Sequence, residues 1–195
     1  MKSVHRGFAV VGIAVAALVG VGWFGSVEAQ GRLESRSVIG AFLPTGDHGN
    51  ELDGALMMGS SLAFRASESV SLVGRFTWSG SNAKQLAGDP EVKVYSYDLG
   101  AEYRIADLAA GRSWRMRPFV GGGVGGRTYN ADVSGMTNET DFVGYGTLGI
   151  QADYKKIGFR IEARDYLSRY DGLSGTGDRA TRNDVGVSAG MAFRF

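Results

Sequence analysis

From about residue 34 onward, apolar and polar residues alternate with a period of two, interrupted by stretches rich in Gly, Asp and Asn. Successive side chains of a strand point to opposite faces, so this period predicts β-strands rather than helices. The last segment is the cleanest. Val185, Val187, Ala189, Met191, Phe193 and Phe195 fall on one face, and Asp184, Gly186, Ser188, Gly190, Ala192 and Arg194 on the other. In the fourth, Tyr95, Tyr97, Leu99, Ala101, Tyr103 and Ile105 oppose Ser96, Asp98, Gly100, Glu102 and Arg104. In the seventh, Phe159, Ile161 and Ala163 oppose Arg160, Glu162 and Arg164.

The second segment sets Leu56, Met58, Leu62 and Phe64 against Gly59, Ser61 and Arg65; the third sets Val70, Leu72, Gly74, Phe76 and Trp78 against Ser71, Val73, Arg75 and Thr77. The sixth places Phe142, Leu148, Ile150, Ala152 and Tyr154 opposite Tyr145, Thr147, Gln151 and Asp153. The fifth, residues 117–129, is dominated by Gly121, Gly122, Gly123, Gly125 and Gly126, which would relieve crowding in a narrow barrel or permit sharp curvature. The first, residues 36–44, shows no assignable faces and is inferred from the need to close a barrel.

Spacer lengths alternate. Long ones fall near residues 45–53, 81–91, 130–140 and 171–182, and short ones near 66–69, 106–113 and 155–156. An up-and-down meander of eight strands with both ends on the short-turn side gives this arrangement, and outer-membrane barrels turn that side to the periplasm. The predicted fold class is all-β, an eight-stranded antiparallel up-and-down transmembrane β-barrel.

Alternation alone does not say which face is inside. The polar face carries Arg75, Asp98, Glu102, Arg104, Arg127, Asp153, Arg160, Glu162, Arg164, Asp184 and Arg194, opposite charges that can pair when enclosed in a lumen. The apolar face carries Phe64, Tyr103, Tyr154, Phe159 and Phe195 near one rim and Trp78, Tyr95 and Phe142 near the other, two aromatic girdles of the kind that mark membrane interfaces. A water-soluble, lipocalin-like barrel in the periplasm would turn those aromatics inward around a ligand. The outside-apolar reading is the stronger.

The amino-terminal residues follow another rule. Lys2, His5 and Arg6 precede an apolar run over residues 8–24, and Val27-Glu28-Ala29 supplies small residues where a signal peptidase reads. Residues 1–29 are therefore expected to be a cleavable signal peptide, and residues 30–195 the barrel domain.

Composition removes several functions. Lys+Arg of 21 against Asp+Glu of 20 gives a net charge of +1, which leaves no broad basic field for nucleic acid. Cysteine is absent, excluding disulfides, thiol nucleophiles and thiolate metal sites. Glycine, at 31 residues, is roughly twice its usual share. The only histidines are His5 and His48. His5 belongs to the leader and His48 to the loop-like Thr45-Gly46-Asp47-His48-Gly49-Asn50, a poor setting for a general base beside a nucleophile. Asp47, His48, Asn50, Glu51 and Asp53 lack calcium-loop spacing, and Gly121 to Gly126 lack the Lys-Ser/Thr of a phosphate loop. No catalytic, cofactor or metal site is predicted, and the chain is not expected to be an enzyme.

With the leader, the eight alternating segments and the terminal Met191-Ala192-Phe193-Arg194-Phe195 in view, the chain resembles the outer-membrane protein A-like and opacity-type β-barrel superfamily over nearly all its mature length. The ending in Phe193 and Phe195 looks like the carboxy-terminal signal read by the barrel-assembly machinery. The resemblance implies periplasmic termini, a lumen closed by polar side chains and variable surface loops. Two-domain members add a peptidoglycan-binding domain, whereas here the sequence stops at the last strand, so cell-wall anchoring is not implied. The expected setting is outer-membrane lipid and lipopolysaccharide, and the loop 170–178 is a candidate for contact with a surface ligand. The expected role is structural or surface interaction, with a narrow channel for small solutes as the alternative.

Overall fold

A computed structural model describes residues 32–45, 54–82, 91–111, 113–131, 139–170 and 180–195. The predicted leader, the His48 segment and residues 171–178 of the last loop lie outside them. Among the described residues nine strands follow in chain order: β1 (Leu33–Pro44), β2 (Ala55–Arg65), β3 (Val70–Asn82), β4 (Glu91–Arg104), β5 (Leu108–Ala110), β6 (Trp114–Ala131), β7 (Glu139–Tyr154), β8 (Ile157–Tyr170) and β9 (Ala180–Arg194). All pairings are antiparallel. β4 pairs with β6 and β1 with β9, so eight long strands close into a barrel with no free edge.

The register fixes its shape. Starting at Leu33, the partners run Phe64, Leu72, Ala101, Gly122, Gly146, Asp165, Val185 and back to Leu43 on β1. One circuit therefore climbs from residue 33 to residue 43, a stagger of 43 − 33 = 10 residues. A stagger larger than the strand number tilts the strands steeply and widens an eight-stranded lumen just enough to be filled by side chains.

The short strand β5 is a departure from the simple meander. It extends β4 along β6: Arg104 pairs with Phe119 and Leu108 with Met116, leaving three residues on one side against two on the other. Pro118 lies in that gap. Its carbonyl accepts a bond from the Ile105 amide at 2.9 Å, but its own nitrogen has no hydrogen to return, so the ladder bulges there. The spacer at 106–113 thus contains a short paired segment, Leu108–Ala110, before the chain turns at Gly111, whose φ of 77° suits glycine. The turn at Lys155-Lys156 places Lys155 at φ 54°, its Nζ 5.4 Å from the Tyr154 ring centre.

The first strand, whose faces could not be assigned from sequence, has them plainly here. Glu34, Arg36, Val38 and Phe42 point into the barrel while Ile39 and Leu43 point out. The glycines of β6 divide likewise. Gly121, Gly123 and Gly125 are on the lumen face, but Gly122 and Gly126 are on the outer face, so of the two expected roles, relief of interior crowding can be served only by the first three. The Tyr97 ring lies over Gly126, where an added Cβ would come within 2.3 Å of it. Inside, the Tyr145 hydroxyl occupies the space that side chains at Gly100 and Gly123 would take, at 2.3 and 2.8 Å.

Outward positions form an apolar belt. Leu56, Leu72, Leu99, Val124, Phe142, Leu148, Ile161 and Leu167 are all at least half exposed. In water such a belt would far exceed the few hundred Å² of apolar patch a soluble monomer usually shows. Among the described residues no helix is long and apolar enough to cross a membrane.

Candidate functional site: a sealed lumen

The lumen is built from the alternate residues of the eight long strands. Its lower half, toward the short turns, is a chain of ion pairs. At the mouth Arg104 meets Asp107 at 3.4 Å, Arg117 bridges Asp107 and Asp153 at 3.2 and 2.7 Å, and Arg194 bridges Asp153 and Glu34 at 2.8 and 3.2 Å. One layer deeper, Arg36 joins Glu34 to Glu102 at 2.7 and 2.9 Å, and Arg160 joins Glu102 to Glu162 at 2.5 and 2.8 Å. Glu162 also pairs with Arg75 and lies 3.6 Å from Arg164, which reaches Asp98 at 2.9 Å. Contacts thus run without a break from the mouth to mid-barrel.

The upper half is organised differently. Arg127 and Asp184, 1 % and 0 % exposed, pair at 2.5 Å. The Arg127 guanidinium lies 4.6 Å from the Tyr166 ring centre and 4.8 Å from that of Phe42, and Tyr166 donates to Asp98 at 2.9 Å, tying this pair to the lower chain. Around it pack Val38, Phe42 and Met57 on one side and Val143, Tyr145 and Tyr166 on the other. Aromatics serve the lower half too, where Arg160 stacks 3.6 Å from Phe119 and Arg164 4.3 Å from Tyr145. The lumen face is therefore a mixture of charge, ring and aliphatic side chain rather than a uniformly polar one.

Of the lumen residues singled out in the sequence, Arg75, Asp98, Glu102, Arg127, Asp153, Arg160, Glu162, Arg164 and Asp184 are buried inside the barrel, and Arg104 and Arg194 stand at its short-turn mouth. The structure adds Glu34, Arg36, Arg117, Phe119, Gln151, Tyr145 and Tyr166. Arg36 was legible as a charge in the first segment, but only the register with β9 shows which way it points.

On the outside, Phe64, Tyr103, Tyr154, Phe159 and Phe195 face out toward the short-turn end, and Trp78, Tyr95 and Phe142 toward the long-loop end. Trp114 joins the first group, its ring centre 5.4 Å from Tyr154 and 6.2 Å from Phe159; the sequence reading began the fifth strand at residue 117 and missed it. Phe193 also faces out, opposite Ser35 and Ile157, and the Phe195 amide donates to the Leu33 carbonyl at 3.2 Å, so the carboxy-terminal pair closes the seam with β1.

Free space is scarce. A cavity of about 40 Å³ opens at the short-turn mouth, and one of about 10 Å³ lies near Arg160, Glu162 and Ser188. These hold roughly three waters and one water respectively. Among the described residues no group of three or more His, Asp or Glu is arranged to hold a metal.

The fold is that of small outer-membrane barrels, closed, eight-stranded and apolar outside. The solved structures most useful for comparison agree. Neisserial surface protein A superposes with a TM-score of 0.60 at 13 % identity, over 84 % of this chain and 96 % of that one. The N-terminal β-barrel domain of Pseudomonas aeruginosa OprF gives 0.53 at 14 %, over 84 % and 98 %. E. coli Outer Membrane Protein W gives 0.50 at 15 %, over 87 % and 100 %. Sequence comparison adds nothing to this, since no protein-family model and no curated protein matches.

Proposed function

We propose that the protein is an exported, non-enzymatic barrel of the outer membrane that contributes to envelope structure or to contacts at the cell surface. On this reading residues 1–29 are removed near Ala29, residues 30–195 form the barrel, the short turns face the periplasm and the long loops face outward among lipopolysaccharide. The assembly machinery would read the strand that ends in Phe193 and Phe195. The observation that carries the proposal is the inversion of the faces: exposed Leu, Ile, Val and Phe outside, buried Arg and carboxylates inside. A ligand-binding barrel in water requires the reverse.

The packed lumen argues against a solute channel. Conduction needs a continuous wet path, whereas the described interior is crossed by ion pairs at 2.5 to 2.9 Å. Fractionation of the native host, with boiled and unboiled outer membrane compared on a gel, tests the proposal. The expected result is recovery in the outer membrane with a heat-dependent change in mobility. Recovery as a soluble periplasmic protein would overturn it. Planar-bilayer recordings should show no steady conductance from the folded barrel.

A further inference from the structure

The ion pairs of the lumen leave a surplus at one place. Seven arginines line the cavity at the short-turn mouth together with Glu34 and Glu102; Arg36 and Arg160 lie deeper, and Arg32, Arg65, Arg104, Arg117 and Arg194 ring the opening. Three of those at the opening are engaged by Glu34, Asp107 and Asp153. Arg32 and Arg65 have no ion pair among the described residues. Arg65 is only half exposed, lies within electrostatic reach of Arg104, Arg117 and Arg194, and ends the strand whose backbone amide bonds the Arg32 carbonyl at 2.8 Å. The Ser69 and Ser71 side chains line the same cavity.

We propose that this mouth is a binding site for a phosphate group, held by Arg65 and Arg32 beside Arg194 and Arg117. Arg65 has three guanidiniums and one carboxylate, Glu34, within electrostatic reach, and Glu34 is already paired with Arg36 and Arg194, so positive charge is in excess at the opening and an anion there would offset it. Guanidinium forks donate two parallel hydrogen bonds to a phosphate, and donors converging from several strands suit a tetrahedral, polyvalent oxyanion better than a halide. The cavity admits a group of a few atoms and is open toward the turns, so the rest of the ligand remains outside. The phosphate belongs either to a dissolved species or to a lipid headgroup reaching over the rim. That the mouth opens to the periplasm rests on the reading above; the site itself does not.

The test uses the full mature chain refolded in an uncharged detergent and titrated calorimetrically with inorganic phosphate at constant ionic strength. The expected result is saturable binding that weakens about tenfold or more in R65Q and in R32Q, the loss of one charge-assisted contact each, and is unchanged in R115Q, a rim arginine that does not line the cavity. Repeating the titration in phosphatidylglycerol nanodiscs separates the sources. Heat that persists points to a dissolved phosphate, and heat that disappears only there points to lipid headgroups already in place. The proposal is overturned if phosphate does not saturate in detergent, if R65Q and R32Q both bind as the parent does, or if chloride gives the same heat. None of these outcomes depends on where the protein resides, so the site can fail while the membrane reading stands, or the reverse.

Discussion

Strand β8 carries two proteins' worth of contrast in one ribbon. Its inward residues Arg160, Glu162 and Arg164 are buried among opposite charges, and its outward residues Phe159, Ile161, Ala163, Asp165 and Leu167 face away from all of them. A carboxylate thus has opposite consequences three residues apart. A carboxylate at position 162 completes a network; a carboxylate at position 165 has only the environment outside the barrel. The lesson is that in this fold the environment of each face, not the residue's own character, decides whether a charge stabilises.

The largest expected effect is on the inner face. Glu162 faces Arg75, Arg160 and Arg164, so Glu162→Gln removes the negative charge that holds three guanidiniums together. Breaking a buried pair costs about 3–5 kcal/mol because the remaining charge stays out of water. The expected outcome is an unfolding midpoint in guanidinium that falls by that equivalent, measured in detergent micelles. Equal stability would mean that the lower ion-pair chain does not hold the lumen closed.

Arg127→Met should come next, at about 3 kcal/mol, since it strips the guanidinium from the fully buried Asp184. The double variant Arg127→Met with Asp184→Leu is expected to recover part of that loss, because Phe42 and Tyr166 already pack on the guanidinium, while Ser96 loses the bond it accepts from Arg127. The same treatment of Glu162 should not rescue, because its three partners remain. A double-mutant cycle compares the upper lumen with the lower in one experiment.

Much of this contrast was legible in the sequence. Alternation alone separates Arg160, Glu162 and Arg164 from Phe159 and Ile161, and the aromatic excess on one face indicates which side is outside. What alternation could not supply was everything that depends on the neighbouring strand. The faces of β1 were hidden because Ser35, Ser37 and Gly40 dilute its pattern, and only the seam with β9 orients Glu34 and Arg36. Alternation sets Tyr145 opposite Phe142 and Leu148 but leaves Phe42, Phe119 and Tyr166 without an assigned face, and the role of these rings becomes visible only when guanidiniums lie across them. Trp114 lies upstream of residue 117, where the glycine-rich fifth segment begins, and the β4–β5 bulge opposite Pro118 that carries the pairing on to it is a property of two strands together.

Glycine offers a smaller, sharper version of the comparison. Gly123 faces the lumen, where an added Cβ would meet the Leu99 carbonyl at 2.2 Å and the Tyr145 hydroxyl at 2.8 Å, and Gly146 faces outward with nothing within 4 Å. Gly123→Ala should destabilise by about 1–3 kcal/mol through overpacking. Gly146→Ala should change stability by less than about 0.5 kcal/mol, as open surface substitutions do. Similar losses at both positions would show that the outer face is as closely packed as the inner one.

The last expected effect has the opposite sign. Asp165 lies in the outward register of β8, opposite Gly146 on β7 and Val185 on β9, with apolar residues on either side along its own strand. A charge on the lipid face of a barrel is destabilising in proportion to its depth, less so for acids than for bases, and Asp165 lies between mid-strand and the long-loop rim. Asp165→Leu should therefore stabilise the barrel by about 1 kcal/mol in phospholipid vesicles, read as a rise in the urea midpoint. In micelles, where water and detergent headgroups reach the side chain, the gain should shrink. A gain that depends on the lipid, set beside a loss at Glu162 that does not, would separate the two faces by their solvents; a loss at both would mean that Asp165 has a partner on the outer surface, such as a second copy or a cationic headgroup, and that the belt is not uniformly a lipid contact.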